Sequence, residues 1–335
     1  AMDQQPFLLN HGPIEVSVHI GYTDLGERRR SAEDLLREAE LALFQKRERA
    51  SDRVIAYTAD LDHRVRERIA MTRALRRALD RDELELHYQP KVDLRDGRLI
   101  ACEALLRWRH PERGLLAPGL FIPLAEQGQL IVPIGEWVLH EACRRLSQWQ
   151  RDGLDVVGVA VNVSVSQFSY GGFHQQLDAA LAAHGVAPDA LILEVTESVF
   201  ERESRSLQRQ LEALHETGIR LSLDDFGTGY SSLRYLQRYP FDEVKVDQAF
   251  VRHMLTDAFS HKVVDTVLGL GRALGADVIA EGIESEAVCT ALRGLGYRFG
   301  QGYFYSLPLE AEDFRWLLEQ HSRLPLGQSK PIGSA

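Results

Sequence analysis

The stretch LELHYQPKVDLRDGRLIACEALLRW, residues 84–108, reads as two apolar strands, Leu84–Leu94 and Leu99–Trp108, separated by Arg95, Asp96, Gly97 and Arg98. A connection this short leaves no room for a crossover helix, so the pair is expected to form an antiparallel hairpin. Downstream, short apolar runs alternate with segments of helical periodicity. Strands are expected at Val156–Val165, Leu191–Ser198, Arg220–Phe226, Glu243–Phe250, Asp277–Ile283 and Arg298–Ser306. Helical patterns fill most gaps, among them Gly172–His184, Glu203–Thr217, Phe259–Leu274 and Glu286–Leu295. Eight strands with intervening helices predict an α/β fold, a TIM-like (β/α)8 barrel modified by one antiparallel strand.

Working outward, the sequence divides near residue 60. Residues 14–22, IEVSVHIGY, alternate like a strand, and 31–49 follow Ser31 as an N-cap with apolar positions at helical spacing. That is too little for an independent domain, and it is expected to be a short N-terminal α/β remnant with a linker over 1–60. Asp60–Asp80 reads as a second helix carrying Arg64, Arg66, Arg68, Arg73, Arg76 and Arg77. A solvated linker helix is the expectation for such a charge run, with an anion-binding face as the alternative. The large domain spans 61–322, and 323–335 is expected to be a flexible tail.

Composition narrows the function classes. The 335 residues, 44% of them hydrophobic, suffice for one large core, and no run approaches the roughly 20 apolar residues of a membrane-spanning helix. Cys102, Cys143 and Cys289 are odd in number and lack metal-ligand spacing, which suits free thiols in a reducing cytoplasm. A net charge of −10 argues against direct DNA or RNA binding, which draws on cationic surface.

Polar residues able to do chemistry fall at or near the C-terminal ends of the expected strands, where barrel active sites are built. They are Glu103, Asn162, Glu194, Asp224 with Asp225, Lys245, Glu281 and Gln301. A lone acid at a strand end is ordinarily a helix cap or a surface charge. Several carboxylates flanked by apolar neighbours, as in LILEVTES and DVIAEGIES, are expected to converge on the barrel mouth and to repel unless cations neutralise them. Oxygen ligands with one amide and no cysteine or histidine select Mg²⁺ or Mn²⁺ over zinc. The pair Asp224–Asp225 is placed to serve two ions, as in phosphoryl hydrolysis sites, although Asp-Asp before Phe226-Gly227 is also a turn signal. Lys245 inside a strand needs a partner or a function; Asp247, two residues on, lies on the same face and is the expected structural partner.

These residues stand in a series of motifs. Glu103-Ala104-Leu105 is followed in order by NVSVSQ at 162–167, EVTES at 194–198, DDFGTGYSSL at 224–233, KVD at 245–247, EGIES at 281–285 and QGYFYSLPL at 301–309. Over about residues 62–322 the chain resembles the EAL family of cyclic di-GMP phosphodiesterases. Residues 1–60 resemble, more weakly, the end of a GGDEF diguanylate cyclase domain without its signature.

The resemblance implies a hydrolase that opens cyclic di-GMP to linear 5'-pGpG with two ions of Mg²⁺ or Mn²⁺. One ion would be held by Glu103, Asn162, Glu194 and Asp224, the other by Asp224, Asp225 and Glu281. Lys245 would orient the attacking water, with Glu281 as general base, Asp225 in the catalytic set and Gln301 in support. Glu197 and Glu284 would hold the DDFGTGYSS loop, near which a homodimer contact is implied. Gln89, Glu103, Leu106, Arg107, Asp247 and Gln301 would meet the substrate. Gln248 and Ala249 depart from the family's usual Arg-Ser, which bears on packing or dimer contacts. The implied natural protein is longer, with upstream GGDEF and sensor domains, and is cytoplasmic or anchored to the inner membrane from that side. The alternative in a different class is a cyclic di-GMP receptor that is non-catalytic or autoinhibited; such receptors usually lack several metal ligands, and this sequence lacks none.

Overall fold

The computed structural model describes residues 7–9, 12–14, 18–25, 31–44, 54–154, 158–169, 171–197, 205–227, 239–320 and 323–324. The chain divides into two compact units, 1–74 and 75–335. In the first, β1 (Phe7–Leu9) and β2 (Gly12–Ile14) form a hairpin, and β3 (Ile20–Tyr22) pairs in parallel with β4 (Val54–Ala56). Of the expected strand 14–22, Ile14 ends β2 and Ile20–Tyr22 form β3, while 15–17 lie outside the described residues; β4 was not foreseen. Helix α1 (Ala32–Phe44) starts where Ser31 Oγ accepts the Asp34 N–H at 3.1 Å, as a Ser N-cap should. Ala42, Ile55 and Leu61 are the buried centre of this unit. Helix α2 (Ala59–Ala78) pairs Arg64 with Asp60 and Arg66 with Asp62 on its exposed face, which is the solvated charge run expected.

The second unit is a closed mixed barrel. Strands β5 (Leu84–Asp93) and β6 (Leu99–His110) pair antiparallel in the register Gln89↔Glu103 and Lys91↔Ala101. Gly97 closes their turn at φ +72°, and a Cβ there would lie 2.0 Å from the Leu324 carbonyl oxygen, so no other residue fits. Six parallel neighbours follow: β8 (Val159–Asn162), β9 (Leu191–Thr196), β10 (Arg220–Phe226), β11 (Glu243–Val246), β12 (Asp277–Ala280) and β13 (Phe299–Gly300), the last returning to β5 antiparallel. Short strands β7 (Gly114–Leu116) and β14 (Leu309–Glu310) extend β6 and β5 outside the ring.

All eight expected barrel strands are present, and the differences lie at their ends. The run Glu243–Phe250 stops as a strand at Val246, because Asp247 accepts the Ala249 N–H at 2.7 Å and caps helix α8 (Gln248–His253). Only two residues of 298–306 pair as a strand. The tail begins pinned rather than free: the Leu324 N–H donates to Gly97 at 2.7 Å, and Leu324 is buried. The remainder from 325 lies outside the described residues.

Helices cover the barrel: α3 (Ile122–Gln127), α4 (Ile131–Arg151), α5 (Val165–Ser169), α6 (Phe173–His184), α7 (Arg205–Glu216), α9 (Ala258–Leu274), α10 (Glu286–Leu295) and α11 (Ala311–Gln320). Helix α4 buries Ile134, Val138, Leu139, Ala142, Leu146 and Trp149 at helical spacing, the stripe that docks it on the sheet. Trp149, Phe314 and the outward-facing Tyr88 of β5 form one aromatic cluster. No helix among the described residues is long and apolar enough to cross a membrane. Inside, Ala101, Ala160 and Ile192 pack as a small apolar layer. Each lies two residues before Glu103, Asn162 or Glu194, so strand alternation raises those three polar side chains toward the C-terminal mouth.

Candidate active site

The mouth is organised around one ammonium. Lys245 on β11 is 1% exposed, and its Nζ lies 2.7 Å from Glu281 Oε1, 2.9 Å from Glu194 Oε2, 3.2 Å from Asp224 Oδ1 and 3.3 Å from Glu103 Oε2. Four strands thus deliver carboxylates to one lysine. Asp247 is not among its partners; besides capping α8, it shares a hydrogen bond with Asp225. Gln301 donates to Glu103 Oε2 at 2.6 Å and to Glu281 Oε1 at 2.9 Å, while its Oε1 has no hydrogen-bond partner among the described residues. Asn162 donates to the other Glu103 oxygen at 2.8 Å.

Successive residues of a strand point to opposite faces, so Asp224 and Asp225 cannot both reach the mouth from a regular β10. The register of β10 against β11 slips between Leu223 and Phe226, and Asp225 adopts the left-handed conformation at φ +56°. Aspartate tolerates that conformation better than most residues. The result is that Asp224, Asp225 and Glu281 each offer an oxygen, all within 4.8 Å of one another. Gly282, also left-handed at φ +65°, lets the chain after β12 pass α8, since a Cβ there would lie 2.5 Å from that of Gln248.

Below the mouth a second ammonium is buried. Lys91 on β5 is 0% exposed and donates to Glu194 Oε1 at 2.8 Å and to Glu243 Oε2 at 3.3 Å; Arg220 pairs with the other Glu243 oxygen. Two ammoniums therefore face five carboxylates, Glu103, Glu194, Asp224, Asp225 and Glu281, with Glu243 shared between Lys91 and Arg220.

The surplus of negative charge in a low-dielectric site divides the carboxylates. Burial works against the charged form of Glu103, but Lys245 and Lys91 with two amide hydrogen bonds hold its pKa down to about 2. Burial together with the Glu103 charge pushes Glu194 up to about 7. Burial, the Asp224 charge and the hydrogen bond with Asp247 push Asp225 up to about 6. Burial raises Glu281 well above the carboxylate range despite Lys245. Both lysines stay charged: burial opposes it, and the surrounding carboxylates outweigh burial.

The family model of the EAL domain matches residues 72–308. This chain belongs to the EAL-domain family. It is 39% identical over 308 residues to the bifunctional diguanylate cyclase/cyclic di-GMP phosphodiesterase MucR of Pseudomonas aeruginosa, covering 92% of this chain and 45% of that protein. It is 34% identical over 312 residues to the oxygen sensor protein DosP of Escherichia coli, covering 93% of this chain and 38% of that one. The chain thus spans under half the length of these curated relatives. Among solved structures, the PaMucR phosphodiesterase in complex with c-di-GMP is 45% identical, with a TM-score of 0.71 over 73% of this chain and 99% of that one. The EAL enzyme Bd1971 in its cAMP- and cyclic-di-GMP-bound form is 32% identical, with a TM-score of 0.73 over 87% of this chain and 77% of that one.

Within this EAL domain, Glu103, Asn162, Glu194, Asp224, Asp225, Lys245, Asp247, Glu281 and Gln301 come together as described. Gln89 joins them in the cavity wall, and its amide donates to the Ser306 carbonyl at 3.3 Å. Gln248, Arg252, Glu284 and Tyr303 form the exposed rim of the same cavity. Glu284 is ion-paired with Arg252 at 2.7 Å. Leu106 and Arg107 do not line the cavity: Leu106 is buried, its carbonyl accepting from the half-buried Arg107 at 2.9 Å. Glu197 sits just past β9, with Oε2 buried and without a partner among the described residues. Of the loop it was expected to hold, 224–232, residues 228–232 lie outside the described residues. Sequence reasoning missed Lys91, Glu243 and Arg220. The signal was present for Lys91, a lysine within the apolar run of β5, the same cue that singled out Lys245.

Proposed function

We propose that this EAL domain hydrolyses cyclic di-GMP to linear 5'-pGpG. The observation that carries the reading is the set of five carboxylates gathered at the barrel mouth with too few cations to balance them. The likeness to a phosphodiesterase solved with c-di-GMP supports the choice of substrate.

The donor set fits hard divalent ions. It offers only carboxylate and amide oxygens, Asp224, Asp225 and Glu281 are within ligand spacing, and Gln301 Oε1 stands unpartnered beside them. Glu103, Asn162, Glu194 and Asp224 would hold one ion of Mg²⁺ or Mn²⁺, and Asp224, Asp225 and Glu281 a second; bound there, they acidify water and offset phosphate charge. The protein's own groups do the rest. Lys245, in reach of Glu281 and Asp224, orients the attacking water. Glu281, a stronger base than an ordinary carboxylate, accepts its proton. The water oxygen bonds phosphorus as the P–O3' bond breaks, and the departing O3' takes a proton from solvent water, leaving a 5'-phosphate and a 3'-hydroxyl. Gln89 and Asp247, with Glu103 and Gln301, position the dinucleotide, while Leu106 and Arg107 stand outside that cavity wall; Glu197 and Glu284 support the loop.

A homodimer contact near that loop, GGDEF and sensor domains upstream, cytoplasmic placement and the absence of nucleic-acid binding belong to the same proposal. The test is incubation of the purified chain with cyclic di-GMP and Mg²⁺ or Mn²⁺, with EDTA as control and products separated by chromatography. Metal-dependent pGpG is expected; tight binding without product would replace the enzyme with a receptor.

A further inference from the structure

Barrel interiors are ordinarily filled by layers of branched apolar side chains. This one carries a column of alternating charge: Arg220, Glu243, Lys91, Glu194 and Lys245, each in ion-pair contact with the next. We propose that Lys91 is a positioning residue for the reaction: by holding Oε1 of Glu194, it fixes the carboxylate so that Oε2 alone is offered to the mouth. The proposal rests on the reading of Glu194 as a metal ligand.

Three observations carry it. Lys91 is wholly buried, and a buried ammonium is costly unless its partners compensate it. Its position on β5 lies opposite Ala101, and with Ala160 the wall beneath Glu103 and Asn162 is built of small side chains, across which a long lysine reaches Glu194 on β9 and Glu243 on β11. The two ammoniums also grip Glu194 differently. Lys245 is shared among four carboxylates and leaves the orientation of any one of them open, whereas Lys91 has Glu194 and Glu243 as its ion-pair partners, and Glu243 is itself tied to Arg220. A glutamate has three side-chain torsions, so pinning one oxygen from below removes most of its freedom before any ligand arrives.

A merely structural lysine and a positioning one differ in what their loss moves. The variants are E243Q and K91M/E243Q, the second removing the ammonium together with one of its carboxylate partners so that no isolated buried charge is added. Thermal melting checks the fold, Mn²⁺ binding without substrate is read by electron paramagnetic resonance, and kcat and KM for cyclic di-GMP are measured at saturating Mn²⁺. E243Q is expected to bind Mn²⁺ within about threefold of wild type. K91M/E243Q is expected to bind it about 10- to 100-fold more weakly, as losses behind metal ligands do, with KM for the dinucleotide within about twofold. Wild-type Mn²⁺ affinity in folded K91M/E243Q overturns the proposal. Should that variant not fold, K91R decides: it keeps the charge but changes its shape, so weaker Mn²⁺ binding supports positioning and unchanged binding overturns it. Wild-type chain that binds Mn²⁺ without turnover sinks the phosphodiesterase reading and leaves the role of Lys91; wild-type chain that binds no Mn²⁺ sinks both.

Discussion

Among the described residues of this barrel, two clusters have the spacing of a metal site. Glu85, His87 and Glu310, on β5 and β14, bring three ligand atoms within 4.8 Å of one another, as do Asp224, Asp225 and Glu281. In the first, the Arg109 guanidinium donates to both Glu85 oxygens at 2.9 Å and to Glu310 at 3.2 Å, which offsets one of the two carboxylate charges, and the Glu310 side chain is 59% exposed, so water screens the other. The second lies at a buried mouth where one ammonium is divided among four carboxylates. Ligand spacing is therefore a poor guide by itself. A cation site is marked by negative charge left over after every resident cation has been counted, in surroundings dry enough for that charge to matter.

The largest break in the comparison should come from Asp224→Ala, which removes the ligand proposed to serve both ions. Turnover of cyclic di-GMP should fall by about 10³-fold or more in the chromatographic assay, the scale of losing a principal electrostatic stabiliser. A loss under tenfold would remove Asp224 from that role.

Glu197→Ala should act more mildly, lowering apparent Mn²⁺ affinity or activity by about 10- to 100-fold, since Glu197 is proposed to act on the site through the loop that follows Asp224 and Asp225. Unchanged kinetics across a Mn²⁺ titration would count against it.

The raised carboxylates give a test with a sign. Asp225 and Glu194 hold protons up to about pH 6 and 7, so Mn²⁺ must displace them at low pH. Affinity should therefore weaken between pH 8 and pH 6, by up to about tenfold per unit for each proton displaced, and Mn²⁺ added at pH 6.5 should release protons. Affinity independent of pH would mean the surplus charge is not where it is placed here.

Asp93 shows the opposite regime and the smallest effect. Arg95 and Arg298 grip its carboxylate at 2.6 and 3.2 Å and hold its pKa below the usual carboxylate range. A depressed pKa contributes stability that is present above about pH 4 and lost as pH falls toward the folded-state value. Asp93→Asn should thus cost about 1 kcal/mol at pH 7, since the exposed arginines are screened, and the deficit should shrink at pH 3. Urea unfolding of both proteins at the two pH values checks it; an equal deficit at both would contradict it.

Most of the barrel was legible in the sequence because each strand is an apolar run bounded by turn residues, and the hairpin at 84–108 fixed the antiparallel exception. The carboxylates and Lys245 were legible because charges stand out in such runs. What was not legible depends on partners distant in sequence. The slip that turns Asp225 inward arises from pairing with β11, the cap at Asp247 ends a strand whose composition would continue it, and β4, β7 and β14 are too short to register without the strands they extend. Lys91 carried the right signal but gained meaning only when Glu194 and Glu243, 103 and 152 residues away, were seen against it.

The most direct test of the contrast between the two clusters is Mn²⁺ binding by electron paramagnetic resonance to wild type, Asp224→Ala and Glu310→Gln. The account predicts binding that is lost in Asp224→Ala and unchanged within about twofold in Glu310→Gln, whose partner Arg109 already fills that site. Binding that survives in Asp224→Ala and disappears in Glu310→Gln would contradict it.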